Sequence, residues 1–360
     1  MKILDRYIAK TILKYSLSVM VILVGIYAFF KFLEEVNDIG RAGYTLLDAL
    51  VYIGLLIPSM AYMLSSLIIL LGSILGLGYL SSNSELIIMR GSGNSVMDIT
   101  KTTLKISLVF IAVMIIVGES VSPILSDYAK NYRSQALGHG SVTSNQQGFW
   151  IKDSGNFIHV DQNIDGKVFN SVTLIKLNNP GELDSVVFSS SANFDGQKVD
   201  LQGSNSYQFD SSERFTKIDR QELKKYTIEV AFDQELIQSL KKEPSSLSTW
   251  KLFKHIRFLS GNKLSADTYE VEFYSRIMKP LTLIAMIILA IPFVFGSLRN
   301  STLGRKIFMG VALSLFFELS SRIGGMLSLR FDLNHLLSAS LPTAVVFLVA
   351  MLMLYRVSIR

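Results

Sequence analysis

LLGSILGLGYLSSNSELIIMRGSG, Leu70–Gly93, passes from glycine-spaced apolar residues into a short polar stretch and back toward glycine. Gly72, Gly76 and Gly78 recur at spacings that let one helix approach another closely inside a membrane. Ser84, Glu85 and Arg90 then surround Leu86, Ile87, Ile88 and Met89. Ser84 can cap a short helix, Glu85 suits its first turn, and Gly91 or Gly93 can end it. Such a segment is either a turn at the membrane surface or a knob that fits a groove on a soluble partner.

The rest of the chain decides where this stretch sits. Of 360 residues, 49% are hydrophobic and only 18% charged, against roughly 25% charged in soluble domains. Mean hydropathy is +0.38. The apolar residues gather into runs long enough to cross a bilayer, which takes about 20 residues. Six stand out: Thr11–Phe32, Leu46–Leu80, Thr102–Leu125, Ile277–Leu298, Ile307–Leu327 and Leu336–Tyr355. The second is long, and Pro58 is expected to divide it into an interfacial helix and a spanning one. The first run exceeds a signal-peptide core and lacks a small-residue cleavage site after it, so it reads as a retained helix.

Flanking charges orient the spans. Lys2, Arg6, Lys10 and Lys14, then Arg90, Lys101 and Lys105, then Arg299, Arg305 and Lys306, then Arg356 and Arg360 share one side. The short opposite flanks carry only Arg41 and Arg330. Both termini and Ser84–Gly93 are therefore expected to be cytoplasmic, with the middle of the chain outside. The net charge of +6 follows from this topology and does not call for nucleic acid. Arg6, Lys10 and Lys14 make an amphipathic entry to the first span.

Between residues 135 and 243 the composition changes. Short β-branched and aromatic runs alternate with turn signals at Asp153–Asn156, Asp165-Gly166, Asn178–Gly181 and Asp195-Gly196. "KVDLQ" and "SYQFD" alternate with period two, as strands of a sandwich or roll do. After Pro244, "SSLSTWKLFKHIRFLSG" reads as a helix ending at Gly261, and a second helix leads through Tyr269 and Tyr274 into the fourth span. The expected plan is residues 1–134 with three spans, 135–243 as a β domain, and 244–360 as a helical connector with three more spans.

Enzyme signatures are missing. The sequence has no G-x-x-x-x-G-K-[ST] loop, no H-E-x-x-H and no G-x-S-x-G. Gly91-Ser92-Gly93 has neither the lysine nor the preceding strand of a phosphate loop. With no cysteine and four scattered histidines, His139, His159, His255 and His335, no metal site is expected. His335 reads as an interfacial polar residue or as a ligand or proton carrier.

The outer ends of the spans are basic. Lys31, Arg133, Arg276, Lys279 and Arg330 come from different helices. They either snorkel to the interface or bind anionic headgroups through charge-assisted hydrogen bonds. Glu318 and Arg322 lie inside the fifth span at i,i+4, where ionisable groups pair or face a cavity. Glu119 is placed to pair with one of the basic residues.

Several stretches, in order, resemble the lipopolysaccharide export permeases of the LptF/LptG family: "LDRYIAKTI", the opening stretch itself, "NYRSQA", "QQGFWIKD", "PFVFGSLR" and "LP" in the sixth span. "LDRYI" and "SNQQGFW" are more similar to the G subunit than to F. The resemblance covers nearly the whole chain. It implies a polytopic α-helical membrane protein with six transmembrane helices and an inserted periplasmic all-β jelly roll. It also implies a Gram-negative inner-membrane location. It implies that the chain binds no cofactor, ATP being bound by a cytosolic LptB-like ATPase dimer. The other implied partners are an LptF-like subunit, an LptC-like β protein with one membrane helix, and lipopolysaccharide, with spans one and five as lateral gates. Carried over by position, Glu85 falls in the coupling helix that contacts the ATPase, with Leu86, Met89 and Arg90 around it. Lys31 and Arg133, joined by Arg276 and Lys279, fall on the lipopolysaccharide-binding side. The composition and topology alone are equally those of a membrane scaffold or sensor, or of an exporter subunit for lipoprotein or peptide.

Overall fold

The computed structural model describes residues 3–137, 149–153, 156–164, 168–178, 183–195, 198–212, 215–229, 243–261, 264–295 and 302–359. Lys2, His139, Arg299 and Arg360, the "SNQQG" stretch and most of the turn signals lie outside them. The chain forms two compact units. One comprises residues 1–137, 248–252 and 267–360, and the other residues 138–247 and 253–266.

The first unit is helical. It begins with α1 (Ile3–Val36), whose buried residues Ile8, Ile12, Ser16 and Val19 recur every three or four positions. Arg6, Lys10 and Lys14 stay exposed on the other faces. Then come α2 (Leu46–Met63) and α3 (Ser65–Ser82). The long run does divide, but at Leu64 and not at Pro58, which sits inside α2. Proline removes a single backbone donor, and α2 continues past it for five residues. Each half has 18 residues, so among the described residues seven helices are long and apolar enough to cross a membrane, where six runs were expected.

Two helices begin with matched capping boxes. Thr45 accepts from the Asp48 amide at 3.3 Å while Asp48 accepts from the Thr45 amide at 2.8 Å. Ser95 and Asp98 repeat the arrangement at the start of α5 (Val96–Ile116). Helix α5 runs through a π-helical turn, Val117–Val121, into α6 (Ser122–Ala136). Gly118 in that turn is required by space, because a Cβ there would lie 2.3 Å from the Tyr62 ring.

Later in the chain, α7 (Thr249–Gly261), whose residues from Phe253 on belong to the second unit, precedes α8 (Asp267–Phe295), α9 (Leu303–Arg330) and α10 (His335–Ile359). The helical core is centred on α3 and α8, where Leu70, Ile74, Leu77, Leu283, Met286 and Ile287 are fully buried. The glycines of α3 make this packing possible. Gly72 faces Ser16, where a Cβ would come within 2.2 Å of the hydroxyl, and Gly76 faces Ile12. Further along α1, Val24 and Phe32 join Tyr52, Ile53 and Met60 of α2 in a second cluster. Thus α2 and α3 lie end to end beside one uninterrupted α1.

Among its described residues the second unit forms an antiparallel sheet of six strands, β1 (Phe149–Asp153) to β6 (Phe215–Glu229), hydrogen-bonded in sequence order. Between them are β2 (Asn156–Ile164), β3 (Val168–Leu177), β4 (Leu183–Phe194) and β5 (Lys198–Ser212). "KVDLQ" and "SYQFD" both lie in β5. One face buries Ile158, Phe169, Leu174, Val187 and Leu201, with Phe258 of α7 packed against them. A jelly roll contains a Greek-key crossover; among the described strands the connectivity is a simple meander.

Candidate functional site

The basic residues singled out in the sequence occupy three different settings. Lys31, near the end of α1, pairs with Glu34 at 2.6 Å, and both side chains are solvent-accessible. Such a surface pair contributes little, so Lys31 can exchange Glu34 for another anion. Arg133 of α6 is committed to protein. Its Nε donates to Glu35 at 2.7 Å, its Nη2 donates to Asp38 at 2.6 Å, and its guanidinium lies 5.6 Å from the Tyr52 ring centre.

Arg276 and Lys279 lie one turn apart on α8. Arg276 is 7% exposed, donates to Glu272 at 2.9 Å and approaches Glu119 at 3.8 Å. Glu119 comes from the π-helical turn and also accepts from the Thr249 amide at 2.8 Å and hydroxyl at 2.7 Å. π-Turns inside α-helices recur at functional sites, and here the extra residue aims Glu119 at the start of α7.

Lys279 differs from the other three. Its ammonium lies 5.7 Å from the Tyr62 ring centre and 3.5 Å from the Met63 carbonyl. Met63 ends α2, where carbonyls lack intrahelical donors and the dipole is negative. Among the described residues no carboxylate comes within salt-bridge distance of Lys279. Lys31, Arg133 and Arg276 each have such a partner. Tyr62, below it, is the neighbour the sequence reading missed; a lone tyrosine in an apolar run carries no signal of its own.

At the other end of the spans, α4 (Glu85–Gly91) forms the expected short helix. Its start differs from expectation. Ser84 adopts a left-handed conformation with φ 59°, and its side chain makes no cap hydrogen bond. Its stop is a glycine motif. Gly93, at φ +95°, donates to the Arg90 carbonyl at 3.0 Å, and Asn94 donates to Met89 at 3.2 Å. That pair of bonds is the Schellman ending. Leu86 and Met89 turn inward and are buried, while Ile87 and Ile88 are exposed at 50% and 69%. Glu85 is half-buried and close to the Tyr7 hydroxyl of α1; Arg90 is exposed. The helix therefore presents an apolar pair flanked by one acid and one base.

Two other polar features resolve into structure. Glu318 and Arg322 pair at 3.0 Å, as their spacing requires. His335 bridges the Ser328 hydroxyl and, at 3.4 Å, the Asp267 carboxylate. Among the described residues no group of three His, Asp or Glu side chains is arranged to hold a metal.

The chain is similar to known proteins along almost its whole length. Residues 6–356 match the family model for the lipopolysaccharide export system permease LptF/LptG. The chain is 29% identical to the lipopolysaccharide export system permease protein LptG of Escherichia coli K12 over 358 residues, 99% of each chain. It is also 29% identical to the protein of the same name from Haemophilus influenzae over 342 residues, 94% of each.

Proposed function

The chain belongs to the LptF/LptG family of lipopolysaccharide export permeases, and from that membership we propose how it takes part in export. It is a permease subunit of a lipopolysaccharide export complex, a transporter and not an enzyme. The observation that carries this is the match over residues 6–356, which runs through both helical stretches and the sheet between them.

In our reading the chain sits in a Gram-negative inner membrane with both termini cytoplasmic and the β sheet in the periplasm. The end-to-end α2 and α3 make one crossing, which reconciles seven apolar helices with six spans. A second, LptF-like subunit completes the cavity, an LptC-like protein extends the β bridge, and the jelly-roll form belongs to that bridge. A cytosolic LptB-like ATPase binds the ATP. Its contact is α4, with Ile87 and Ile88 as the apolar surface, Glu85 and Arg90 as the charged edges, and Leu86 and Met89 as internal anchors. Lipopolysaccharide presents phosphate-bearing headgroups to Lys31, Arg276 and Lys279. Lys279 leads because it has no carboxylate partner among the described residues, and Arg133 holds the neighbouring loop in place.

The test is reconstitution of the purified chain with these partners in lipid vesicles. ATP-dependent transfer of lipopolysaccharide to a periplasmic acceptor supports the reading. Assembly without ATP-dependent transfer refutes it.

A further inference from the structure

We infer that Lys306 is the positioning residue through which movement of α3 and α4 is passed to α9, a role resting on the reading of α4 as the ATPase contact. Lys306 lies in the first turn of α9 and is 4% exposed. Among the described residues no carboxylate lies within salt-bridge distance of its ammonium. Its acceptors belong to α3: the Gly78 carbonyl at 3.4 Å and the Ser82 hydroxyl at 3.3 Å. Ser82 itself donates to the Gly78 carbonyl at 2.9 Å, closing the group.

A buried ammonium without a counter-charge is costly to hold, and an apolar side chain would fill the same space more cheaply. What the charge adds is attraction to the negative end of α3. Contacts of 3.3 and 3.4 Å are longer than the usual 2.7–3.2 Å, so they guide the two helices without locking them. The seat is specific. A Cβ on Gly78 would lie 3.2 Å from Nζ and 3.3 Å from Cδ of Lys306. One turn further along α9, Gly310 admits Leu71 of α3, where a Cβ would meet it at 2.4 Å.

Helix α3 therefore holds α9 on one side and, through Gly72 and Gly76, α1 on the other. It continues after Asn83 and Ser84 into α4. A push on α4 therefore reaches α9 through Lys306. The outer half of α9 exposes Phe316, Leu319, Ile323 and Met326, so displacement of its inner end re-aims an apolar face.

The experiment uses the complete transporter in lipid vesicles and measures both ATP hydrolysis and lipopolysaccharide delivered. Lys306→Met should lower delivery per ATP about tenfold, with hydrolysis held within about twofold. Gly78→Ala should do the same, and the double variant should be no worse than either alone. Ser82→Ala, which removes one acceptor, should cost about threefold. An unchanged delivery ratio in Lys306→Met, or additive losses in the double variant, overturns the inference. If Lys306→Met does not assemble, Ser82→Ala decides, and a wild-type ratio there overturns it too. Spin labels on thiols introduced at exposed Ile88 and Phe308 give a separate readout in the permease without its ATPase. Lys306→Met should broaden that distance distribution, and an unchanged distribution counts against the link. Glu85→Ala distinguishes the two claims: normal ATPase recruitment there refutes the α4 reading and leaves the α3–α9 measurement standing.

Discussion

Arg133 and Glu35 stand 98 residues apart in the chain and meet at 2.7 Å. Glu35 is 5% exposed and also accepts a hydrogen bond from the Tyr44 hydroxyl at 3.2 Å. Burial first, and then the charge of Glu35, push the Tyr44 hydroxyl well above the ordinary tyrosine range, so it remains a neutral donor. The contact ties α6 to the last turn of α1, while the second arm of Arg133 holds Asp38 in the loop that follows.

Removing the guanidinium leaves a buried carboxylate without its counter-ion. Arg133→Ala should destabilise the helical unit by about 3 kcal/mol. In Glu35→Ala/Arg133→Ala the losses should fall well short of additive. Thermal unfolding in detergent measures both, and additive losses would show that the pair does not interact.

Lys279 and Lys31 should differ as headgroup ligands. Lys31 already has Glu34 at 2.6 Å, whereas Lys279 has the Met63 carbonyl and the Tyr62 ring. Lys279→Ala should weaken lipopolysaccharide binding about tenfold, and Lys31→Ala about threefold. Photocrosslinking at each position gives the order directly; equal effects would contradict the unequal partnering.

Gly118→Ala must move either the Tyr62 ring or the π-helical turn, because its Cβ would lie 2.3 Å from that ring. The expected cost is about 1–3 kcal/mol. Tyr62→Leu in the same chain should recover most of it. Failure of that rescue would mean that the glycine serves the backbone and not the ring.

In the sheet, Asp200 accepts from Thr227 at 2.6 Å and faces Lys225 at 2.9 Å. The Thr227 hydroxyl first, and then Lys225, hold its carboxyl below the ordinary range. A depressed folded pKa stabilises above the unfolded value, about 3.9, and that stabilisation is lost as pH falls through the folded value. The gap in melting temperature between wild type and Asp200→Asn should therefore be present at neutral pH and close below about pH 4. A gap independent of pH would exclude the ionised carboxylate as its source.

Much of this architecture could be read from the sequence because hydrophobic length and period are local properties. The helical runs, the strand alternation of "KVDLQ" and the glycines of α3 all follow from such patterns. The short helix after Ser84 was legible too, down to Gly93 as part of its stop. Ser84 misled because serine before an acid is a common cap, whereas here its φ is positive and its side chain makes no cap hydrogen bond. The break at Leu64 has no local signature, and Pro58 drew attention to the wrong residue. The division between Arg133, held by Glu35 and Asp38, and Lys279, held by a carbonyl and a ring, depends on partners far away in the chain. Spacing cannot show it.

Helix α1 has 34 residues without interruption, about 51 Å at 1.5 Å per residue, against a hydrocarbon layer of about 30 Å. Tyr7 lies near one end, close to Glu85, and Glu35 near the other is bonded to Arg133. Between them lie about 42 Å of continuous helix, which neither stretches nor compresses appreciably. Helix α1 is thus one rigid rod, so that a displacement of its Tyr7 end along the axis is a displacement of its Glu35 end as well.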